Sequence, residues 1–232
     1  MKKYIAFLWP PVFFVVLVVL TSCNNGSTVN YQSGTIVCLG DSLTAGYGAT
    51  TPRREDKSKS YPAYLQNKVN IPVIGAGRSG DTTARGLARV DTEVLSHNPQ
   101  IVIILLGGND FSRRIPAATI ENNLQSIIDK VNDGSRMIYL AKFYSVATAR
   151  AMGSRYGITD YDTQTAIMNQ YDTMFNTLAS KNNITLIEDI WDGVWGMHMS
   201  DPIHPNARGY EIMADNIFSV LQPYLQANDL IK

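Results

Sequence analysis

Short, unbroken apolar runs recur along the chain, separated by segments in which apolar residues return every three or four positions. The runs at 35–39, 72–76, 101–106, 137–141 and 185–190 are mostly Val, Ile, Leu and small residues. A strand with one wet face alternates apolar and polar side chains. Continuous runs predict parallel strands covered on both faces. The intervening segments carry a helical period. Residues 61–69 place Tyr61, Tyr64, Leu65 and Val69 on one side, and 83–95 group Leu87, Val90, Val94 and Leu95. Residues 117–131 stack Ile120, Leu124, Ile127, Ile128 and Val131, and 165–178 and 207–221 repeat the pattern. Five strands alternating with helices predict an α/β domain: a five-stranded parallel sheet with helices on both faces. In such sheets reactive groups gather beyond the carboxyl ends of the strands.

Two stretches break the alternation. Residues 51–59 mix charges of both signs and read as a solvated loop. Residues 145–162, with Met152, Tyr156 and Tyr161, form a long connection of the kind that shapes binding sites.

The amino-terminal pattern differs from all of this. Lys2 and Lys3 precede a mostly apolar stretch from Tyr4 to Leu20, which Pro10 and Pro11 interrupt. The unbroken part, 12–20, is too short at ~1.5 Å per residue to cross a hydrocarbon core of ~30 Å. Residues 1–22 therefore read as a signal peptide. They end in Leu20-Thr21-Ser22-Cys23, which resembles the lipobox of bacterial lipoproteins. That resemblance implies acylation of Cys23, a tether over 23–33, a globular domain over 34–232 and an exported protein held at a bacterial membrane.

Composition excludes several classes. The 232 residues are 45% hydrophobic and 17% charged, with a formal net charge of +0, an ordinary globular balance for one domain. No basic stripe suits nucleic acid. There are only two cysteines. With Cys23 assigned to lipid, Cys38 inside the first strand reads as a small core residue, and no disulfide framework or metal spacing is present. Neither a metal nor a cofactor is expected.

The chemistry sits in the turns after the strands. Gly40-Asp41-Ser42-Leu43-Thr44 follows the first run and lifts a serine to the end of the sheet. A serine hydroxyl needs a base, and the base needs an orienting partner. Of three histidines, His97 precedes a strand and so lies at the wrong end of the sheet. His204 is three residues after Asp201, so the carboxylate can hold one ring nitrogen while the other faces Ser42. Pro205, suited to a first helical position, directs the entry of His204. His198, without such a proline, is read as pocket wall. Charge developing on an attacked carbonyl needs donors already in place. Asn109, in Gly107-Gly108-Asn109-Asp110, the Gly80 amide and the Ser42 amide are the candidates. Ser79 in Gly77-Arg78-Ser79-Gly80-Asp81 imitates a Gly-x-Ser-x-Gly elbow, but the fifth residue is Asp81 and the pattern fails. Arg78 reads as a surface ion-pair residue. Asp41, Tyr47, Trp191, Trp195, Met197 and Met199 are candidate pocket residues.

Gly40-Asp41-Ser42-Leu43, Gly80, Gly107-Gly108-Asn109-Asp110 and Asp201-Pro202-Ile203-His204 resemble, in order and spacing, the four blocks of the SGNH (GDSL) hydrolase superfamily. The similarity runs over about residues 35–225. Gly-Asp-Ser-Leu-Thr-Ala-Gly-Tyr-Gly, Ser-Gly-Asp-Thr-Thr and Gly-Leu-Ala-Arg-Val are similar to its acyl-CoA thioesterase I, lysophospholipase and arylesterase branch. The resemblance implies a three-layer flavodoxin-like fold and a serine hydrolase acting on small-molecule esters or thioesters, lysophospholipids among them. It implies a triad of Ser42, Asp201 and His204, and an oxyanion hole of Ser42, Gly80 and Asn109. Gly75 stands where the second block often carries Asn, and the 145–162 connection is longer than in the compact thioesterases. Two other functions fit the same blocks: a carbohydrate acetylesterase, and a non-catalytic surface lipoprotein that binds through the fold.

Overall fold

The computed structural model describes residues 34–144, 157 and 159–232. The expected leader, Cys23 and the tether lie outside the described residues, as does most of the 145–162 connection. Strands β1 (Ile36–Gly40), β2 (Val73–Gly77), β3 (Ile101–Leu105), β4 (Met137–Ala141) and β5 (Thr185–Ile187) form one parallel sheet in the order β2-β1-β3-β4-β5. Helices α1 (Ser42–Ala45), α2 (Tyr61–Gln66), α3 (Thr83–Ala88), α4 (Val90–Glu93), α5 (Gly108–Ser112), α6 (Ala117–Val131), α7 (Tyr161–Asn182) and α8 (Ala207–Ala227) surround it. Helix α2 packs with α8, and α6 packs with α3, α4 and α7. Every residue of β1 and β3 is buried, as their unbroken apolar runs require. All five residues of the predicted apolar face of α6 are fully buried.

Departures from the expected elements have local causes. The last strand stops at Ile187 rather than residue 190, and beyond it the Asp189 carboxylate accepts from the Trp191 amide at 2.7 Å, turning the chain. Helix α7 starts four residues before the apolar period begins, because Asp160 caps it by accepting from the Thr163 amide at 2.7 Å. Helix α8 continues through exposed Pro223 to Ala227. The expected helix over 83–95 is broken at Arg89, whose φ of −117° and ψ of 8° leave the helical region. Its side chain is buried and donates to carbonyls at the ends of β1 and β2.

The sheet sets the site by register. Gly40 is level with Gly77 on one side and Leu105 on the other. The turns after β1, β2 and β3 therefore leave the sheet side by side. Gly77 lets them meet: a Cβ there would lie 2.4 Å from the Ala45 nitrogen and 2.5 Å from the Thr44 carbonyl carbon, so α1 rests directly on the end of β2.

Candidate active site

Asp41 follows β1 and caps α1, accepting from the Leu43 amide at 3.0 Å. Ser42 is the first residue of that short helix, and its Oγ lies 3.0 Å from His204 Nε2. His204 Nδ1 lies 2.7 Å from Asp201 Oδ2, while Asp201 Oδ1 accepts from the amides of Ile203 and His204 at 2.8 and 2.9 Å. The spacing of three thus works as an Asx turn rather than as a helical pass. Pro205 is not the first helical residue: Asn206 caps α8, accepting from the Gly209 amide at 3.0 Å, and Ala207 begins the helix. The turn is closed by Ser200, whose amide donates to the His204 carbonyl at 2.8 Å. Tyr47 lies against the His204 ring, with centroids 4.5 Å apart, and its carbonyl accepts from the Tyr210 hydroxyl at 2.8 Å.

Burial alone would raise the Asp201 carboxyl. The Ile203 amide and the His204 ring and amide outweigh it and hold the group below its ordinary value. Asp201 therefore stays ionised beside the imidazole, which fixes the Nδ1–H tautomer and leaves Nε2 free to accept from Ser42.

Asn109 enters from the first turn of α5. Its Nδ2 donates to Asp41 Oδ2 at 3.1 Å, so one amide hydrogen is engaged and the side chain is held in a single orientation over the cavity. Asp41 is only 3% exposed, and burial pushes its carboxyl up to about 7 against the pull of the Leu43 and Asn109 bonds; Asp110 and Asp81 raise it further. Asp110 is buried as well and ties α5 to α3, accepting from the Thr83 amide at 2.8 Å and hydroxyl at 2.7 Å. Gly80 occupies the turn after β2 with a φ of +82°, a conformation that glycine takes without strain.

A cavity of about 350 Å³ joins these groups, lined by Asp41, Ser42, Tyr47, Gly80, Asn109 and His204. Its apolar wall is Leu43, Phe143, Trp191 and Ile203. Trp195 and Met197 do not line it: Trp195 stacks edge-on against Trp191, centroids 5.8 Å apart, and Met197 is 69% exposed. His198 and Met199 lie outside the lining too, and His97 is exposed before β3. Ser79 reaches the cavity, but its hydroxyl has no hydrogen-bond partner and so no base among the described residues. Arg78 pairs with Glu93. Leu43, Phe143 and Ile203 are wall residues absent from the expected pocket, and Phe143 stands just after β4. Its position beyond a strand end was the available signal.

The profile of the GDSL-like lipase/acylhydrolase family matches residues 38–212. Esterase TesA of Pseudomonas aeruginosa is 28% identical over 200 residues, covering 82% of this chain and 89% of that protein. The thioesterase 1/protease 1/lysophospholipase L1 of Escherichia coli K12 is 29% identical over 194 residues, covering 82% and 84%. A crystal structure of TesA superposes with a TM-score of 0.66 at 27% identity, covering 82% of this chain and 98% of that one.

Proposed function

The chain belongs to the GDSL-like lipase/acylhydrolase family and is an SGNH-type esterase, and from that premise we propose that it hydrolyses its substrates by two-step acyl transfer on Ser42. His204 Nε2 accepts the Ser42 proton as Oγ attacks the ester or thioester carbonyl carbon. Asp201 holds the imidazole and stabilises its charged form. The carbonyl oxygen, now negative, is met by the Ser42 and Gly80 amides and by the Asn109 side chain. The tetrahedral species collapses, His204 gives its proton to the departing alcohol or thiol, and the acyl group stays on Oγ. Water then repeats the sequence with His204 as base and frees the acid.

One observation carries this reading: an oxygen, two ring nitrogens and a carboxylate in line, at 3.0 and 2.7 Å. A merely structural serine would not need a histidine itself fixed by a carboxylate. The wall of Leu43, Phe143, Trp191 and Ile203 suits an acyl or aryl group, and lysophospholipids fit the same description. Relatives named as esterase and thioesterase/lysophospholipase favour ester and thioester cleavage over sugar deacetylation or a binding role. We also propose that residues 1–22 are removed, that Cys23 is acylated and that the enzyme works at a bacterial membrane surface.

The test is turnover of p-nitrophenyl esters and acyl thioesters of graded chain length. Wild type hydrolyses them, and Ser42→Ala loses more than about 10³-fold in kcat. Ser42→Ala activity within tenfold of wild type overturns the assignment.

A further inference from the structure

Arg89 takes no part in the chemistry above, yet its guanidinium is buried directly beneath it. The residue is 6% exposed and sits at the break between α3 and α4. Nε donates to Asp81 Oδ2 at 2.7 Å. Nη1 donates to the Ala76 carbonyl and to Glu93 Oε2, both at 2.8 Å. Nη2 donates to the Gly40 carbonyl at 2.7 Å.

Three of these acceptors, in Gly40, Ala76 and Asp81, flank the candidate oxyanion donors along the chain. The Gly40 carbonyl belongs to the peptide that leads into Asp41 and Ser42. Ala76 lies near the end of β2, beside it in the sheet. Asp81 closes the turn that carries Gly80, its amide donating to the Arg78 carbonyl at 3.1 Å. The Arg78 amide in turn donates to the same Gly40 carbonyl at 3.2 Å. One rigid, planar cation therefore ties the serine's strand to the glycine's turn. The Gly40 and Ala76 carbonyls belong to adjoining strand ends, and a guanidinium that donates to both sets their separation through its fixed fork of donors. Lysine, a point charge with no fork, can neutralise Asp81 but cannot bridge both carbonyls.

We propose that Arg89 is a positioning residue for the oxyanion hole, holding the Gly80 amide at the distance from Ser42 that the tetrahedral species requires. This rests on the reading of Ser42 as nucleophile and of Gly80 as oxyanion donor. It also explains why the helix breaks at residue 89. An unbroken helix would not turn this side chain under the strand ends.

The measurement is kcat and KM of Arg89→Lys on a short p-nitrophenyl ester, together with inhibition by an alkylboronic acid, which forms a tetrahedral adduct with a reactive serine. A displacement of about 1 Å at an oxyanion donor costs on the order of 100-fold. The expected result is a kcat lower by about 100-fold, a KM within twofold, and a boronate inhibition constant raised by a similar factor, in a protein that still melts cooperatively. A purely structural ion pair would lower the melting temperature and leave kcat and boronate affinity of the folded enzyme unchanged, and that result overturns the proposal. Should Arg89→Lys fail to fold, Asp81→Asn, which keeps the shape but weakens the grip on the Gly80 turn, is read in the same way. It must lower kcat and boronate affinity together, and unchanged values overturn the proposal. Absence of turnover and of boronate binding in wild type would instead sink the serine-hydrolase reading itself.

Discussion

Asn109 and Asp41 show how much of the site depends on single hydrogen bonds. Asn109 presents an amide to the cavity because Asp41 holds its other hydrogen. Asn109→Ala should lower kcat by about 100-fold or more, and Asp41→Asn should lower it too, since Asp41 uses one oxygen for Leu43 and the other for Asn109, and an amide puts a donor NH2 in place of one of them. A loss of only a few-fold in Asn109→Ala would reduce that residue to turn chemistry. Asp41 also has a signature in pH. Its carboxyl is pushed up to about 7 in the folded protein, above its unfolded value. Between the two values the native state binds the proton that the unfolded chain has lost, so stability falls as pH rises through that window. Below it the penalty is absent, and above about 7 it is complete. Melting temperatures across pH 4–8 should show Asp41→Asn gaining relative to wild type as pH rises; a constant difference would contradict the assignment. At this scale the sequence showed the residues that stand in short motifs. Ser42, Asn109, Asp201 and His204 each sit in a local pattern that has few other uses. Phe143 does not, and Arg89, although it stands in Gly-Leu-Ala-Arg-Val, shows no role there because its bond to the Gly40 carbonyl joins residues distant in the chain. Trp195 and Met197 lie outside the cavity lining, since nearness to His204 along the chain does not by itself bring a side chain to the cavity.

Elements carry the site by where they stop. Each contributing turn follows a strand, and the parallel register aligns those strand ends. The pattern of apolar runs predicted the strands, but full burial holds for β1 and β3, whereas the edge strands β2 and β5 are only partly covered. It could not predict the break at Arg89, because periodicity reports which face is buried and not a contact made by one polar side chain. Close approach of α1 to β2 depends on Gly77. Gly77→Ala would press a methyl into the Thr44–Ala45 backbone and should cost about 2–3 kcal/mol along with much of the activity. Gly75→Ala, two residues earlier on the same strand, meets Pro62 at 3.4 Å and the Thr44 carbonyl oxygen at 3.9 Å and should cost well under about 1 kcal/mol. Chemical denaturation of the two variants checks this, and equal losses would contradict the packing described.

The whole molecule divides its tasks between a buried sheet and one rim. Most of the described chain builds the frame, while the chemistry occupies the ends of β1, β2 and β3 and the turn before α8. The fold class was legible from the alternation of elements, and the rim from its serine, histidine and asparagine motifs. The apolar wall of the cavity was legible only in part, at Trp191, since it is assembled from α1 and the loops that follow β4 and β5. The proposed anchor is a separate matter of location. Cys23→Ala should abolish labelling by a clickable fatty acid and leave residues 1–22 attached, with ester turnover unchanged; continued labelling would contradict acylation at Cys23. The central claim concerns one oxygen atom, and a fluorophosphonate tests it most directly. Intact-mass analysis with peptide mapping should find one adduct per chain, on Ser42, formed at least about 100-fold more slowly in His204→Ala. Failure of the wild-type protein to form an adduct, or an adduct on another residue, would contradict the account.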